Sequence, residues 1–259
     1  MTAGRLTLRT IALGYLALLL VVPVGMVFYR AFEKGIGPGW DAVTTPPAQH
    51  AFFLTITIAL IAVPANAVFG VLTAWVLARY DFRGKRILDV MIDLPFAVSP
   101  VVVGLALILV WGRDGWFSST EVIFSTPGIV LATIFVSLPF VVREVLPVLV
   151  EEGTDSEQAA STLGARGWQV FWRITLPTIR WGLTYGVILS TARAIGEFGA
   201  VAVVSGKVQG RTETLTLYVE DRFQSLDLAG AYAAALVLAL IAVAVLALMT
   251  LLQRRHREA

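Results

Sequence analysis

Cysteine is absent from all 259 residues, so neither a disulfide framework nor thiolate chemistry is open to this chain. Histidine is nearly absent. His50 and His256 stand far apart, which argues against a histidine-based metal centre. Charge is scarce: Asp, Glu, Lys and Arg make up 15% of the residues, against about 25% in an ordinary soluble domain. A net charge of +2 supplies no basic field for nucleic acid. The phosphate-cradling pattern G-x-x-x-x-G-K-[ST] is missing as well. Its nearest fragment, Ser205-Gly206-Lys207, continues with Val208, so the hydroxyl that would ligate magnesium is lacking. No catalytic residue, metal site or cofactor of its own is read from the chain.

What is present is apolar sequence, 57% of the whole. Five stretches of 19 residues or more contain no Asp, Glu, Lys or Arg: Ile11–Tyr29, Ala51–Ala78, Leu94–Gly112, Val122–Val142 and Leu228–Gln253. About 20 apolar residues cross the hydrocarbon core as a helix. A sixth stretch, Trp181–Ser205, qualifies except that Arg193 and Glu197 interrupt it. The first stretch is longer than the apolar core of a signal peptide and no A-x-A site follows it, so it reads as a retained span. The expectation is an all-α integral membrane protein with about six transmembrane helices.

Orientation follows from the basic residues. With the N-terminus inside, the cytoplasmic segments carry 13 Lys and Arg and the external ones 6, the bias that places both termini in the cytoplasm. Arg79, Arg83, Lys85 and Arg86 form the densest cluster and read as a topology anchor. Within the spans, Pro64, Pro95, Pro100 and Pro139 are potential kinks that neighbouring helices can accommodate. Asn66, mid-span, requires a hydrogen-bond partner. Gly182 and Gly186 allow another helix to come close. Arg193 lies about 16 Å into span five, near the midplane, and its i, i+4 spacing to Glu197 lets the two pair. Two readings stand for them: a self-neutralised structural pair, or an arginine facing the path of an anion, with Ser190 one turn away.

The longest polar connection, Arg143–Arg180, holds two short amphipathic segments. Thr154-x-x-Glu157 reads as a capping box. Ala159, Ala160 and Leu163 give a small apolar face, and Gly164 can end the helix in a left-handed conformation. Trp168, Phe171 and Trp172 follow at helical spacing, and Pro177 is read as closing the unit before span five. Such a surface suits either close packing by a partner or a helix lying in the headgroups.

Gln158-Ala159-Ala160-Ser161-Thr162-Leu163-Gly164, nine residues, then Ile174-Thr175-Leu176-Pro177 resembles the EAA loop of ABC importer permeases at every spacing. The family's glutamate falls on Gln158, with Glu157 one position earlier. Ala192-Arg193-Ala194-Ile195-Gly196-Glu197-Phe198-Gly199 is similar to the A-R-x-x-G-E-F-G segment of sulfate and molybdate permeases. Asp93–Pro100, Pro139–Glu144 and Trp181–Gly186 resemble the CysW type of the sulfate/thiosulfate importers.

The resemblance implies a type I ABC importer permease fold (MetI-like) in a bacterial plasma (inner) membrane. Residues 1–49 would hold the N-terminal tail, first span and external loop. The permease domain would be 50–253, with its coupling loop at 151–177, and 254–259 a cytoplasmic tail. The implied partners are a CysT-like second permease, two copies of a cytoplasmic ABC ATPase that bind ATP and magnesium, an extracytoplasmic sulfate-binding protein and membrane lipid. The loop residues Glu157, Gln158, Ala159, Ala160, Gly164, Ile174, Leu176 and Pro177 would dock on the ATPase, and Arg193, Glu197 and Ser190 would line the path. The resemblance leaves molybdate or tungstate open as cargo. The rival of a different class is a secondary anion transporter driven by an ion gradient. It would need intramembrane carboxylates and an internal repeat, and neither is prominent here.

Overall fold

The computed structural model describes residues 3–33, 35–118 and 121–258, and its regular elements are all helical. Met1, Thr2, Lys34, Ser119, Thr120 and Ala259, expected in tails and external loops, lie outside the described residues. The first span joins α1 (Ala3–Leu16), a π-helical turn and α2 (Val22–Phe32), and is followed by the short α3 (Ile36–Val43). α4 (Pro46–Arg79) starts where Thr45 caps the Ala48 amide and Pro46 pre-sets the first turn. α5 (Lys85–Ala97) and α6 (Pro100–Trp111) follow, then α7 (Thr126–Glu152).

The loop expected to face a partner contains α8 (Asp155–Thr162), α9 (Gly167–Val170) and a π-helical turn, Phe171–Thr175. α10 (Leu176–Ile195), α11 (Gly199–Val204), α12 (Leu215–Gln224) and α13 (Leu228–Glu258) complete the chain. The end of the bundle that carries α8 is called the loop face below.

Four helical segments are long and apolar enough to cross a membrane: Leu8–Phe32, Pro46–Arg79, Thr126–Glu152 and Leu228–Val245. The bent pair α5–α6 makes a fifth if it is one span, and the 20-residue α10, which carries Arg180 and Arg193, is less apolar than these and stands where the sixth is expected. α7 lies at the centre. Leu54, Ile58, Ile129 and Val201 are buried around its first half, and Val71, Val145, Leu149 and Ile179 around its second. Between them Asn66 finds the partner its depth demands: Nδ2 donates to Ser137 Oγ at 2.8 Å. A Cβ on Gly182 or Gly186 would come within 2.7 Å of Glu144 O or 2.8 Å of Val141 Cα. That closeness is what the glycine pair provides.

Several sequence expectations change. The stretch Leu94–Gly112 is not a straight span. α5 and α6 meet at 114°, because Val98 and Ser99 are extended ahead of Pro100. Pro64, Pro139 and Pro147, by contrast, sit inside unbroken helices. α7 continues past Arg143 to Glu152, and α10 begins at Leu176, so Pro177 opens the span helix rather than closing the loop. Charge marks where hydrocarbon ends, not where a helix ends.

The connection Gly206–Asp227, expected to be an external loop, does not stay outside the bundle. Leu215 N donates to Thr55 Oγ1 at 2.9 Å, nine residues inside α4, and Thr216 Oγ1 donates to Glu197 O at 2.8 Å. Irregular backbone at that depth is tolerated where protein surrounds it. Thr212, Glu213 and Thr214 are all buried there.

Candidate functional site

The loop face carries the first group of candidate residues. α8 begins after Thr154, as the spacing predicts, but the capping box does not form. Thr154 makes no side-chain cap. The reason is a competing partner. Arg79, the last residue of α4, donates Nε and Nη2 to the two oxygens of Glu157 at 3.0 and 3.1 Å. Thr175 Oγ1 adds a third hydrogen bond to Glu157, at 2.8 Å. Gln158, in the motif's glutamate position, is exposed, and its side chain donates to Thr154 Oγ1 at 2.8 Å. Arg79 is thus engaged within the bundle, whereas its neighbours Arg83 and Arg86 are exposed. Its side chain is 9% exposed. Lys85 of the same cluster hydrogen-bonds Asp81 and holds that carboxyl below the ordinary carboxylate range.

Gly164 adopts φ +88°, the left-handed conformation expected of it, and Gly153 at the other end of α8 has φ +69°. α8 buries none of its residues. Ala159 is exposed and Ala160 half-buried, while Leu163 (89% exposed), Trp168 and Trp172 stand out from the loop face. Ile174 and Leu176 are half-buried against the bundle and Pro177 is exposed. The result is a short helix with apolar side chains beside it and none of its own residues fully buried by the described chain.

The second group lies mid-bundle. Arg193 Nη1 and Glu197 Oε2 form the expected ion pair, but not on one helix face. α10 ends at Ile195, and Glu197 sits in the break before α11, where its Oε1 accepts from Ala200 N at 2.9 Å. Its side chain is 2% exposed, that of Arg193 30%. Ser190 is fully buried, and its hydroxyl has no partner in the described structure.

Two features escaped the sequence. Glu213 is a second buried carboxylate, hidden because its segment reads as an external connection. Arg143 binds Asp93 through Nε at 2.7 Å and pairs with Asp89 through Nη1 at 2.9 Å. Phe96 and Phe140 pack edge to face at 5.2 Å. The segments Asp93–Pro100 and Pro139–Glu144, noticed separately, are therefore two sides of one contact. Only the opposite charges of Asp93 and Arg143 could have suggested it.

With this geometry in view, comparison with known proteins is informative. The family described as "Binding-protein-dependent transport system inner membrane component" matches residues 66–258. The sulfate transport system permease protein CysW of Synechocystis is 52% identical over 97% of this chain and 94% of its own length. The sulfate transport system permease protein CysT of Synechococcus elongatus is 39% identical over 92% and 88%. Among solved structures, a bacterial alginate ABC transporter in complex with its alginate-bound periplasmic protein superposes with a TM-score of 0.77. It shares 18% identity and covers 97% of this chain and 93% of that one, a likeness of fold. This multi-pass, all-helical chain therefore belongs to the family of binding-protein-dependent transport system inner membrane components.

Proposed function

We propose that the chain is one of two membrane-channel subunits of an ATP-driven importer that moves sulfate or thiosulfate inward by alternating access. One observation carries the mechanism. α8 is flanked by two glycines of positive φ, buries none of its own residues, and leaves Leu163, Trp168 and Trp172 uncovered on the loop face. A helix in that state suits docking in a groove of another protein. In this reading the groove belongs to a cytoplasmic ABC ATPase, present in two copies, which binds the ATP and magnesium. The loop face is then cytoplasmic, both termini lie inside, and the membrane is the bacterial inner membrane. The second channel subunit is a CysT-like homologue, and an extracytoplasmic binding protein delivers the anion. The cargo follows from the relatives: the CysW protein of Synechocystis, at 52% identity, is named for sulfate transport.

The mechanism asks little chemistry of this chain. ATP binding closes the ATPase pair, displaces the docked α8, and switches the spans between outward and inward openings. Such a switch is driven only by ligands that bind the two states unequally. The test is uptake of labelled sulfate in cells lacking the chain, before and after it is restored, with molybdate as competitor. Sulfate uptake that returns with the chain and resists molybdate is expected. Normal sulfate uptake in the deleted cells, with loss of molybdate uptake, would transfer the assignment to molybdate. Uptake that survives ATP depletion but stops with an ionophore would favour the gradient-driven class.

A further inference from the structure

α8 is bounded by positive-φ glycines, Gly153 at φ +69° and Gly164 at φ +88°, and no residue within it is buried. Apolar packing therefore does little to fix its place against the bundle. The strongest side-chain tie on it is Glu157. Both carboxylate oxygens are held by the guanidinium of Arg79, and Oε1 also accepts from Thr175 Oγ1. Arg79 spends its remaining terminal nitrogen, Nη1, on Leu149 O at 2.8 Å, a carbonyl in the last turn of α7, where helical carbonyls run out of amide partners. One guanidinium thus joins the end of α4, the end of α7 and the first turn of α8, and through Thr175 the joint reaches the root of α10.

We propose that Arg79 and Glu157 are positioning residues for coupling: a joint through which displacement of α8 is passed to α4 and α7. The inference rests on the reading of α8 as the ATPase-docking element. A forked Arg–carboxylate contact resists rotation as well as separation, which a single-point contact does not. It is largely shielded from water, so it does not slacken as an exposed pair would. α4 carries the movement inward, because Asn66 in its middle is bonded to Ser137 of α7. Removing the fork would leave α8 free to follow the ATPase without pulling the spans.

The test has two arms. In the first, spin labels are placed at cysteines introduced at Thr162 and Arg83 in the full chain in liposomes, with no native cysteine to interfere. Arg79→Gln should broaden the label-to-label distance distribution relative to the parent. Arg79→Lys, which keeps the charge but loses the fork, should give an intermediate width. In the second arm, the assembled complex is measured for sulfate moved per ATP hydrolysed. Arg79→Gln should keep the ATPase in a pull-down yet lower that ratio about five-fold or more, the lower end of ordinary coupling between sites. The swap Arg79→Glu with Glu157→Arg should recover part of it.

A distribution as narrow as the parent's in both Arg79 variants overturns the joint. So does an unchanged ratio, or a loss that merely tracks loss of the ATPase. Should Arg79→Gln fail to insert, Arg79→Lys decides by the same measurements. If the parent complex moves no sulfate, the cargo assignment falls, and the label distances still decide the joint.

Discussion

Glu197 is buried and Arg193 is not, although an ion pair joins them, and this asymmetry separates their roles. The carboxylate has two partners, the guanidinium and the amide of Ala200 at the start of α11. Without Arg193 it is a buried charge left with the Ala200 amide alone, and a buried charge that loses its counter-ion is strongly destabilising. Without the charge on Glu197, the arginine can turn toward water. Arg193→Gln should therefore sharply reduce the amount of chain in the membrane, and Glu197→Gln should reduce it little, since an amide oxygen still accepts from Ala200. The double variant should restore the amount by removing both charges. Uptake of sulfate per inserted chain, read beside an immunoblot, then distinguishes the two readings. Uptake that stays low in the double variant places Arg193 on the anion path. Normal uptake per chain makes the pair structural.

At the scale of elements, α8 is the part most open to test. Gly164 has φ +88°, and a Cβ added to it would meet no atom within 4 Å, so a larger residue there collides with nothing in this chain. Gly164→Val is strained by roughly 1–2 kcal/mol in that conformation, which reorients the turn after α8 without touching the spans. Membrane insertion should survive, while retention of the ATPase in a pull-down and uptake both fall. Full retention with parental uptake would mean that α8 is a headgroup helix and not the docking element. Much of this element was legible in the sequence. The start after Thr154 and the stop at Gly164 follow from local pattern, as does the helical turn that carries Trp168, Phe171 and Trp172, but not the exposure of the tryptophans. The partner of Glu157 was not, because Arg79 is 78 residues away and reads there as one more basic residue at a membrane boundary. The bend between α5 and α6 was half legible. Pro100 announces a break, but its 114° angle depends on how α6 packs against α11, with Gly104 close to Ala200 and Val203. The inward dip of α12 was illegible, since Lys207, Arg211 and Glu213 give its approach the composition of an ordinary external loop.

For the whole molecule the open quantity is direction. The bundle could be turned over in the membrane without changing one internal contact, so the packing is silent on which face meets the cytoplasm. The expected direction rests instead on the charge bias of 13 against 6 and on the cytoplasmic ATPase proposed above. α4 spans 34 residues, about 51 Å at 1.5 Å per residue. Its first turn and α8 therefore lie on opposite sides of any bilayer that the helix crosses. Gln49 is exposed in that first turn and Ser161 is exposed on α8. A single cysteine at Gln49 should react with an impermeant thiol reagent added to intact cells. One at Ser161 should react only after the cells are permeabilised, and because the parent has no cysteine, its labelling should be nil. The reverse pattern would put α8 outside, beyond the reach of any cytoplasmic ATPase. Coupling through α8 would then be impossible, however well its shape suits the task.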